Sequence, residues 1–400
     1  MPDPFALGLS MSWTAWCLLA AAVVCIPELP SGRWPSAVPD RILALYLVVV
    51  ALTSATSVNH RTTWVAVLAL LGHVGMFYAA RVLARNVSWL TNAILLSLVA
   101  SIALLLLMAL AYHAELGLLT RPEFYPVPRG WSGHPELSML AAIQFGLLIA
   151  ALQAASTTRM ALATASLLAI NLVELVFLYS RASGLAVSVI IAAAFVLFRR
   201  THLSRLLGIV GVVAVAGLVF LLANPTFRFL TASTVGRQTS AWARDGFISG
   251  VSPPEGRIQI WQAGLRMIAD HPGRGLGLGT FEEMFEGRYN PHLTSDSRQR
   301  LHAHNLWLQQ CAELGLIGGA LYAGFWVTLL GLCWRSARDR PTFASVGLLL
   351  SIVGIAGSNV TTNMFYLTGG ASGRLQSLTW MLFGLAAALP APKHVGRLQF

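Results

Sequence analysis

The segment His302–Gly319 (HAHNLWLQQCAELGLIGG) combines two titratable rings with an apolar, glycine-rich run. We predict a helix that opens at His302 and enters a bilayer, with His304 on the same face as Trp307 and Leu308. Partial desolvation on such a face disfavours the protonated form of an imidazole. His304 would then be a neutral base suited to taking a proton from a hydroxyl group. A histidine hydrogen-bonded inside the fold is the alternative.

A second pair of ionisable residues, Glu174 and Arg181, lies in the apolar stretch NLVELVFLYSRASGLAVSVI. Seven residues are about two helical turns, so we predict both on one face of a single helix. Ionisable groups at membrane depth usually face a cavity or a partner. Arg181 is a candidate ligand for a substrate anion. Alternatively, it is an interfacial residue that lays its apolar stem along the hydrocarbon and keeps its charged group at the membrane surface. Glu174 is its orienting partner, or a buried, protonated spectator.

Two more arginines, Arg257 and Arg266, fall in a predicted helix between Glu255 and Pro272. They are about 2.5 turns apart, so only one should face a shared site. A guanidinium group binds phosphate oxygens bidentately, and such groups near a membrane surface would suit a lipid-linked pyrophosphate. The weaker supporting candidates at predicted outer positions are His302, Asn305, Arg266, Arg129 and Arg374.

Metal and nucleotide chemistry have little support in the sequence. The run Gly273–Gly279 lacks the Gly-Lys-Ser/Thr of a phosphate loop, and we predict turns between surface helices there. No Asp-x-Asp pair occurs in the chain. His302 and His304 could not both bind a metal from one regular helical face. We therefore expect no metal and no cofactor.

The elements that carry these residues are membrane helices. Of the 400 residues, 56% are hydrophobic and 11% are charged, against about 25% charged in a soluble domain. A span needs roughly 20 apolar residues, and helices satisfy their own backbone hydrogen bonds in lipid. Eleven spans are predicted: 5–26, 41–57, 63–83, 90–112, 137–155, 160–179, 184–198, 205–223, 315–334, 343–358 and 375–389.

The orientation follows from arginine-rich loops, which stay in the cytoplasm. One cluster comprises Arg199, Arg200 and Arg205, and another comprises Arg335, Arg338 and Arg340. The chain between them must then lie outside. We predict three parts: membrane helices 1–8 in residues 1–223, an external loop at 224–305, and the histidine-motif helix with the C-terminal spans at 306–400. In the loop helix, the predicted apolar stripe is Ile258, Trp261, Leu265 and Ile268.

The histidine segment resembles the O-antigen ligase family, in the wider group of O-antigen polymerases and protein O-oligosaccharyltransferases. The family pattern is His, then Asn, Ser or Gln, nine residues, and Gly-x-x-Gly/Thr/Tyr. Here it reads His304, Asn305, nine residues, then Gly315–Gly318. The segments YSRASGLA with Arg181, GRIQIWQAG with Arg257, and HPGRGLGLGTF also look like the family. Family members usually have twelve helices, one more than is predicted here.

The resemblance implies an all-α, polytopic inner-membrane helical bundle of about 11–12 transmembrane helices, similar to GT-C glycosyltransferases, with a large, partly helical periplasmic loop. It implies transfer of O-antigen polysaccharide from undecaprenyl pyrophosphate to the lipid A–core oligosaccharide in lipopolysaccharide biosynthesis. By analogy the reaction is inverting and metal-independent, with His304 as general base and Arg181 and Arg257 as pyrophosphate binders. The partners would be the two amphiphiles and membrane lipid, with no nucleic acid.

Three alternative functions stay open. An O-antigen polymerase or a protein O-oligosaccharyltransferase would use the same donor with a different acceptor. The latter commonly carries an added C-terminal domain, whereas this chain ends soon after its last predicted span. A flippase or other transporter for lipid-linked oligosaccharides is the third, although we find no internal repeat of the kind that transporters often show.

Overall fold

The computed structural model describes residues 38–87, 89–115, 134–178, 181–198, 208, 211, 257–289, 302–361 and 372–389. Every element in these ranges is helical. By length and composition, five of the helices could cross a membrane. They are α1 (Val38–Ala55), α2 (His60–Asn86), α4 (His134–Ala154), α5 (Thr158–Leu178) and α9 (Leu306–Asp339).

The remaining elements are partly apolar helices and partly short connections. Four contain shorter apolar stretches: α3 (Leu90–Glu115), α6 (Arg181–Phe198), α10 (Phe343–Ser358) and α11 (Ser372–Ala388). The other described elements are α7 (Arg257–Asp270), α8 (Phe281–Met284) and a π-helical turn (Phe285–Tyr289). The protein is thus a polytopic, helical membrane protein in its described part, as the sequence predicted.

The predicted spans mostly coincide with these helices. Eight of them correspond to α1 to α6, α10 and α11, with ends that differ by a few residues. The predicted spans 5–26 and 205–223 lie outside the described residues, apart from two isolated glycines of the second. The span predicted at 315–334 is contained in α9, which begins nine residues earlier.

The prediction that Glu174 and Arg181 share one helix is wrong. The helix that carries Glu174, α5, ends at Leu178, and Arg181 is the first residue of α6. Ser180, the residue before Arg181 in the sequence, is of a type that favours helix starts. Two residues on separate helices have no fixed angular relation, so the argument from a seven-residue spacing does not apply.

The helices define two ends of the bundle. We call the end where α9 begins and α10 ends the histidine end; there Leu306 N donates to Asn359 O at 3.0 Å. The opposite end, where α9 ends at Asp339 and α10 begins at Phe343, is the arginine end. A buried ion pair between Arg81 and Asp40 joins the end of α2 to the start of α1 there. The two ends are separated by the length of α10, whose 16 residues span about 24 Å.

The core of the bundle is apolar and rich in aromatic rings. Phe77 of α2 contacts Phe325 of α9 and Trp380 of α11, with ring centroids 5.7 and 6.5 Å apart. Trp326 packs edge-on against Phe383 at 4.6 Å. These contacts hold α2, α9 and α11 together over the middle of the bundle.

The apolar stripe predicted for the loop helix α7 is wrong at Leu265, whereas Trp261 and Ile268 are half-buried on the packed side and the Ile258 side chain is outside the described residues. The buried residues are Ile260, Ala263 and Met267, whereas Leu265 is 59% exposed. A small residue, Gly264, determines which side of α7 packs against α9. A Cβ atom added at Gly264 would lie 2.8 Å from the Leu308 side chain, so α7 approaches α9 closely on this side. A hydropathy pattern that weights large residues does not detect such a face.

Candidate active site

Asn305 forms the cap that starts α9. Its backbone is extended (φ −153°, ψ 110°), and its side-chain oxygen accepts the N–H of Leu308 at 3.0 Å. This is the geometry of a helix N-cap, a position that favours Asn and Ser. The prediction that the helix opens at His302 is therefore wrong, because helical geometry begins at Leu306. The cap also gives a physical reason for an Asn or Ser after the histidine of the motif.

His304 has a strained backbone. Its φ is +48°, and among the described residues it is the only one besides glycines with a positive φ. A non-glycine residue in such a conformation costs about 1–3 kcal/mol and persists where surrounding contacts impose it, often at functional sites. The predicted helical face shared with Trp307 and Leu308 does not exist, since His304 precedes the helix.

His302 supports this conformation directly. Its Nδ1 accepts the backbone N–H of His304 at 3.1 Å, and the two ring centroids are 4.0 Å apart. A ring nitrogen that accepts a hydrogen bond carries no proton, so the neutral His302 ring holds its proton on Nε2. Both histidines are half-buried. The structure therefore places the two rings together.

Ala303, between the histidines, is clamped from two sides. Its carbonyl accepts the indole N–H of Trp261 at 2.9 Å, which links it to α7. Its N–H donates to the side-chain oxygen of Gln309 at 3.4 Å, which links it to α9. Ala303 itself is fully buried. The histidine segment is therefore fixed by contacts with two helices as well as by its own cap.

The helix α9 is interrupted at Gly315, the first glycine of the motif. Its φ of 72° and ψ of 177° are outside the helical region and are essentially restricted to glycine. The interruption frees backbone groups that an intact helix would pair internally. Ala312 O and Glu313 O accept the N–H groups of Leu276 and Gly277, at 3.1 and 2.8 Å.

The residues that fill this interruption are the glycine loop, His271–Thr280. Pro272 O accepts the N–H of Leu316 at 2.8 Å, which completes the pairing of the broken helix. The approach leaves no space for side chains: a Cβ atom at Gly315 would lie 2.6 Å from Gly273 O. The prediction of tight turns in this run is confirmed, with Gly275, Gly277 and Gly279 all at positive φ.

Glu313 fastens the glycine loop to α9 from within. Its carboxylate accepts the N–H groups of Gly279 and Phe281, at 2.9 and 3.3 Å, and the side-chain amide of Gln309 at 2.8 Å. The side chain is 1% exposed. Since Gln309 also contacts Ala303, a continuous set of hydrogen bonds joins the loop to the residue before His304. Sequence reasoning did not single out Glu313, although an acidic residue inside an apolar run was an available signal.

The connection between α1 and α2 holds the other side of the glycine loop. Val58 N donates to Leu276 O at 3.0 Å. The Asn59 side chain donates to both carboxylate oxygens of Glu283, at 3.0 and 2.8 Å. At the end of α7, the phenol of Tyr289 donates to Asp270 at 2.8 Å, and burial with this bond raises the pKa of Tyr289. The loop is thus fixed between the bundle and the loop helices.

The predicted pyrophosphate-binding arginines are both first residues of helices. Arg257 begins α7, one turn before Trp261, and Arg181 begins α6. Their side chains are outside the described part of the structure. The helix α6 ends near α9's last turn, where Phe198 and Arg338 line one cavity, so Arg181 lies at the histidine end. The three backbone positions Arg181, Arg257 and His304 are therefore at the same end of the bundle.

The supporting candidates have mixed outcomes. Arg266 is exposed on α7, about 140° around the helix from Trp261. Arg374 lies in the first turn of α11, and its side chain is not described; Arg129 is outside the described residues. Glu174 is fully buried and accepts the Asn171 amide at 3.2 Å. Among the described residues, no group of three His, Cys, Asp or Glu side chains could hold a metal ion.

Comparison with known proteins addresses the family. No curated protein matches the chain. Residues 163–323 match the sequence model of the family described as O-antigen ligase. The match runs from α5 through α6, α7, the glycine loop and the histidine segment to the middle of α9, and so includes Arg181, Arg257, His304 and Gly315. Over this region, which is less than half of the chain, the sequence is similar to the O-antigen ligase family.

Proposed function

We propose that this protein is an O-antigen ligase of the bacterial inner membrane. It transfers O-antigen polysaccharide from undecaprenyl pyrophosphate to a hydroxyl group of the lipid A–core oligosaccharide. The acceptor oxygen forms a bond to the anomeric carbon, the bond from that carbon to the pyrophosphate breaks, and the acceptor proton passes to His304. The observation that carries the proposal is the constrained backbone of His304, fixed at +48° between two helices within the family match.

The geometry around His304 suits a general base. A base must hold its nitrogen within hydrogen-bond reach of one hydroxyl, and fixed neighbours reduce the entropy lost in doing so. The Asn305 cap, the His302 hydrogen bond and the Ala303 clamp provide such constraints. The adjacent imidazole of His302 is a positioning group for the His304 backbone, because its Nδ1 is already used as an acceptor.

The positions of Arg181 and Arg257 suit a pyrophosphate leaving group. Each begins a helix, of 18 and 14 residues respectively. Helix N-termini carry partial positive charge and unpaired N–H groups, which favour bound phosphate. Guanidinium groups there add bidentate contacts to phosphate oxygens. Charge that develops on the departing pyrophosphate would be stabilised without a metal ion.

The distribution of arginines supports a periplasmic histidine end. The described arginines at the arginine end are Arg41, Arg81, Arg85, Arg159, Arg335, Arg338 and Arg340. Basic residues in short loops favour the cytoplasmic side. The histidine end also carries arginines, such as Arg266, Arg274 and Arg288, but these lie in the long segment between α6 and α9, and long segments are translocated largely regardless of charge. Both proposed substrates are amphiphiles of the outer leaflet, so a site at this end can reach them.

Product analysis tests the proposal and separates it from its alternatives. The purified protein is reconstituted with lipid-linked O-antigen, with and without lipid A–core, and the products are separated by mass. A ligase joins polysaccharide to lipid A–core and makes no product without it. Longer lipid-linked chains in the absence of lipid A–core would identify a polymerase. Glycosylation of an added acceptor protein instead of lipid A–core would identify an O-oligosaccharyltransferase.

A transporter predicts a different result. It would move the lipid-linked glycan across the vesicle membrane without forming a new glycosidic bond. Transport without any transfer product, by protein whose folding is verified, would overturn the proposal.

A further inference from the structure

A cavity of about 200 Å³ lies at the arginine end, far from the candidate active site. It is enclosed by the ends of α4, α6 and α9 and by the start of α10. Because α9 and α10 each extend from one end of the bundle to the other, this cavity and His304 belong to opposite membrane faces. The reaction proposed above makes no use of it.

The polar wall of the cavity includes an amide whose hydrogen bonds are not satisfied. Gln153, near the end of α4, lines the cavity, and both its Nε2 and Oε1 atoms are buried without a hydrogen-bond partner in the described part of the protein. Buried amide groups are normally paired, because an unpaired donor or acceptor loses its water without compensation. A ligand with both acceptor and donor oxygens would satisfy this amide.

The charged wall is formed by Arg338, in the last turn of α9. None of the lining residues is acidic. Phe198, which also lines the cavity, is followed in the sequence by Arg199 and Arg200, and these two lie outside the described residues. Of the two arginine clusters that indicated the membrane orientation, the one at the end of α9 therefore contributes Arg338 to the cavity. Its charge complements an anion.

The rest of the wall is apolar, formed by side chains such as Leu197, Phe198 and Val346. These belong to helices that are apolar along their length, so the cavity lies where hydrocarbon meets the polar boundary of the membrane. A free anion gains little from such a wall. An amphiphile with an anionic head and acyl chains fits all three parts, and basic pockets between membrane helices are typical sites for anionic lipid heads.

We propose that this cavity binds an anionic phospholipid of the membrane leaflet at the arginine end. The phosphate diester contacts the Arg338 guanidinium, head-group hydroxyls such as those of phosphatidylglycerol donate to and accept from the Gln153 amide, and the acyl chains follow Leu197 and Phe198 outward. The site holds together the ends of α4, α6, α9 and the start of α10. It does not depend on the reaction catalysed at the other end.

Native mass spectrometry of the purified full-length protein in detergent tests the site. The probes are phosphatidylglycerol and phosphatidylcholine, each titrated separately, and inorganic phosphate is added as a competitor of phosphatidylglycerol. The variants are Arg338→Gln and Gln153→Leu, and the matched control is Arg335→Gln, which removes an exposed arginine one turn earlier on the same helix. Circular dichroism and size-exclusion chromatography verify the fold of each variant.

We expect one phosphatidylglycerol to bind more tightly than phosphatidylcholine, and inorganic phosphate not to compete. Loss of one charge-assisted hydrogen bond corresponds to about tenfold weaker binding, so Arg338→Gln should lower the affinity by about tenfold. Gln153→Leu should lower it severalfold, and Arg335→Gln should leave it unchanged. Equal affinity for both lipids, equal affinity in the folded Arg338 and Gln153 variants, or full competition by inorganic phosphate would overturn the proposal.

Discussion

The two ends of α9 and α10 are built in different ways. At the arginine end the backbone is regular: Arg340 N donates to Ser336 O at 2.9 Å, and Thr342 and Ser345 form a reciprocal cap at the start of α10. At the histidine end the backbone is interrupted at Gly315 and strained at His304. The candidate base of this protein is therefore positioned by an unusual backbone conformation, whereas the cavity at the arginine end is formed by side chains of intact helices.

Of the features that differ between the two ends, the interruption at Gly315 should be the most sensitive to substitution. Gly315→Ala places a Cβ atom against Gly273 O in a conformation that only glycine adopts readily. We expect a loss of stability of about 3 kcal/mol or more and little remaining transfer activity. Thermal unfolding in detergent measures the first and the reconstituted transfer assay the second.

Gly331→Ala is the matched control on the same helix. An added Cβ atom there meets no other atom within 4 Å. Alanine is the better helix former by roughly 0.5–1 kcal/mol, so the variant should be as stable as the parent or slightly more stable. Equal effects of the two substitutions would contradict the special role of the interruption.

Much of this architecture could be predicted from the sequence, and the failures have specific causes. The apolar spans follow from hydropathy, since lipid imposes length and composition directly. The turns of the glycine loop follow from its composition. The start of α9 was misplaced at His302, although Asn305 carried an N-cap signal. The side chain of Glu313 accepts hydrogen bonds from residues more than thirty positions away in the sequence, and no local sequence pattern reveals such partners.

Substitution of Arg257 should have the next largest effect, and it should lower transfer activity without lowering stability. Arg257→Ala is expected to lower transfer by about 10²- to 10³-fold, the usual effect of removing one group that stabilises developing negative charge. Arg257→Lys should recover little, because an ammonium group lacks the planar fork. Steady-state kinetics with the lipid-linked donor measure both variants.

The control for this pair is Arg61→Ala, which removes an exposed arginine at the same end of the bundle. It should change transfer by less than about threefold, since exposed charges interact weakly. Full activity in the lysine variant would argue against bidentate binding of phosphate at this position.

Glu313 should show a smaller effect, because it acts through the glycine loop and Gln309. Glu313→Gln keeps the size of the side chain but replaces one acceptor oxygen by a donor, which leaves Gly279 or Phe281 without its partner. We expect a loss of about 1–3 kcal/mol in stability and a fall of about tenfold in kcat with little change in KM.

Asp339→Asn, an exposed carboxyl at the arginine end, should leave kcat within about twofold, because exposed charges contribute little. A role limited to stability would appear as a lowered unfolding midpoint with normal kcat below that midpoint. That result would remove Glu313 from the account of how His304 is positioned.

The most direct measurement is transfer by His304→Ala in vesicles that contain both lipid substrates, alongside His60→Ala as an exposed histidine of the same end. We expect the folded His304 variant to lose about 10²- to 10⁴-fold in kcat, while the His60 variant transfers polysaccharide at nearly the parental rate. Transfer by the folded His304 variant within a few-fold of the parent would contradict the assignment of this residue as the general base.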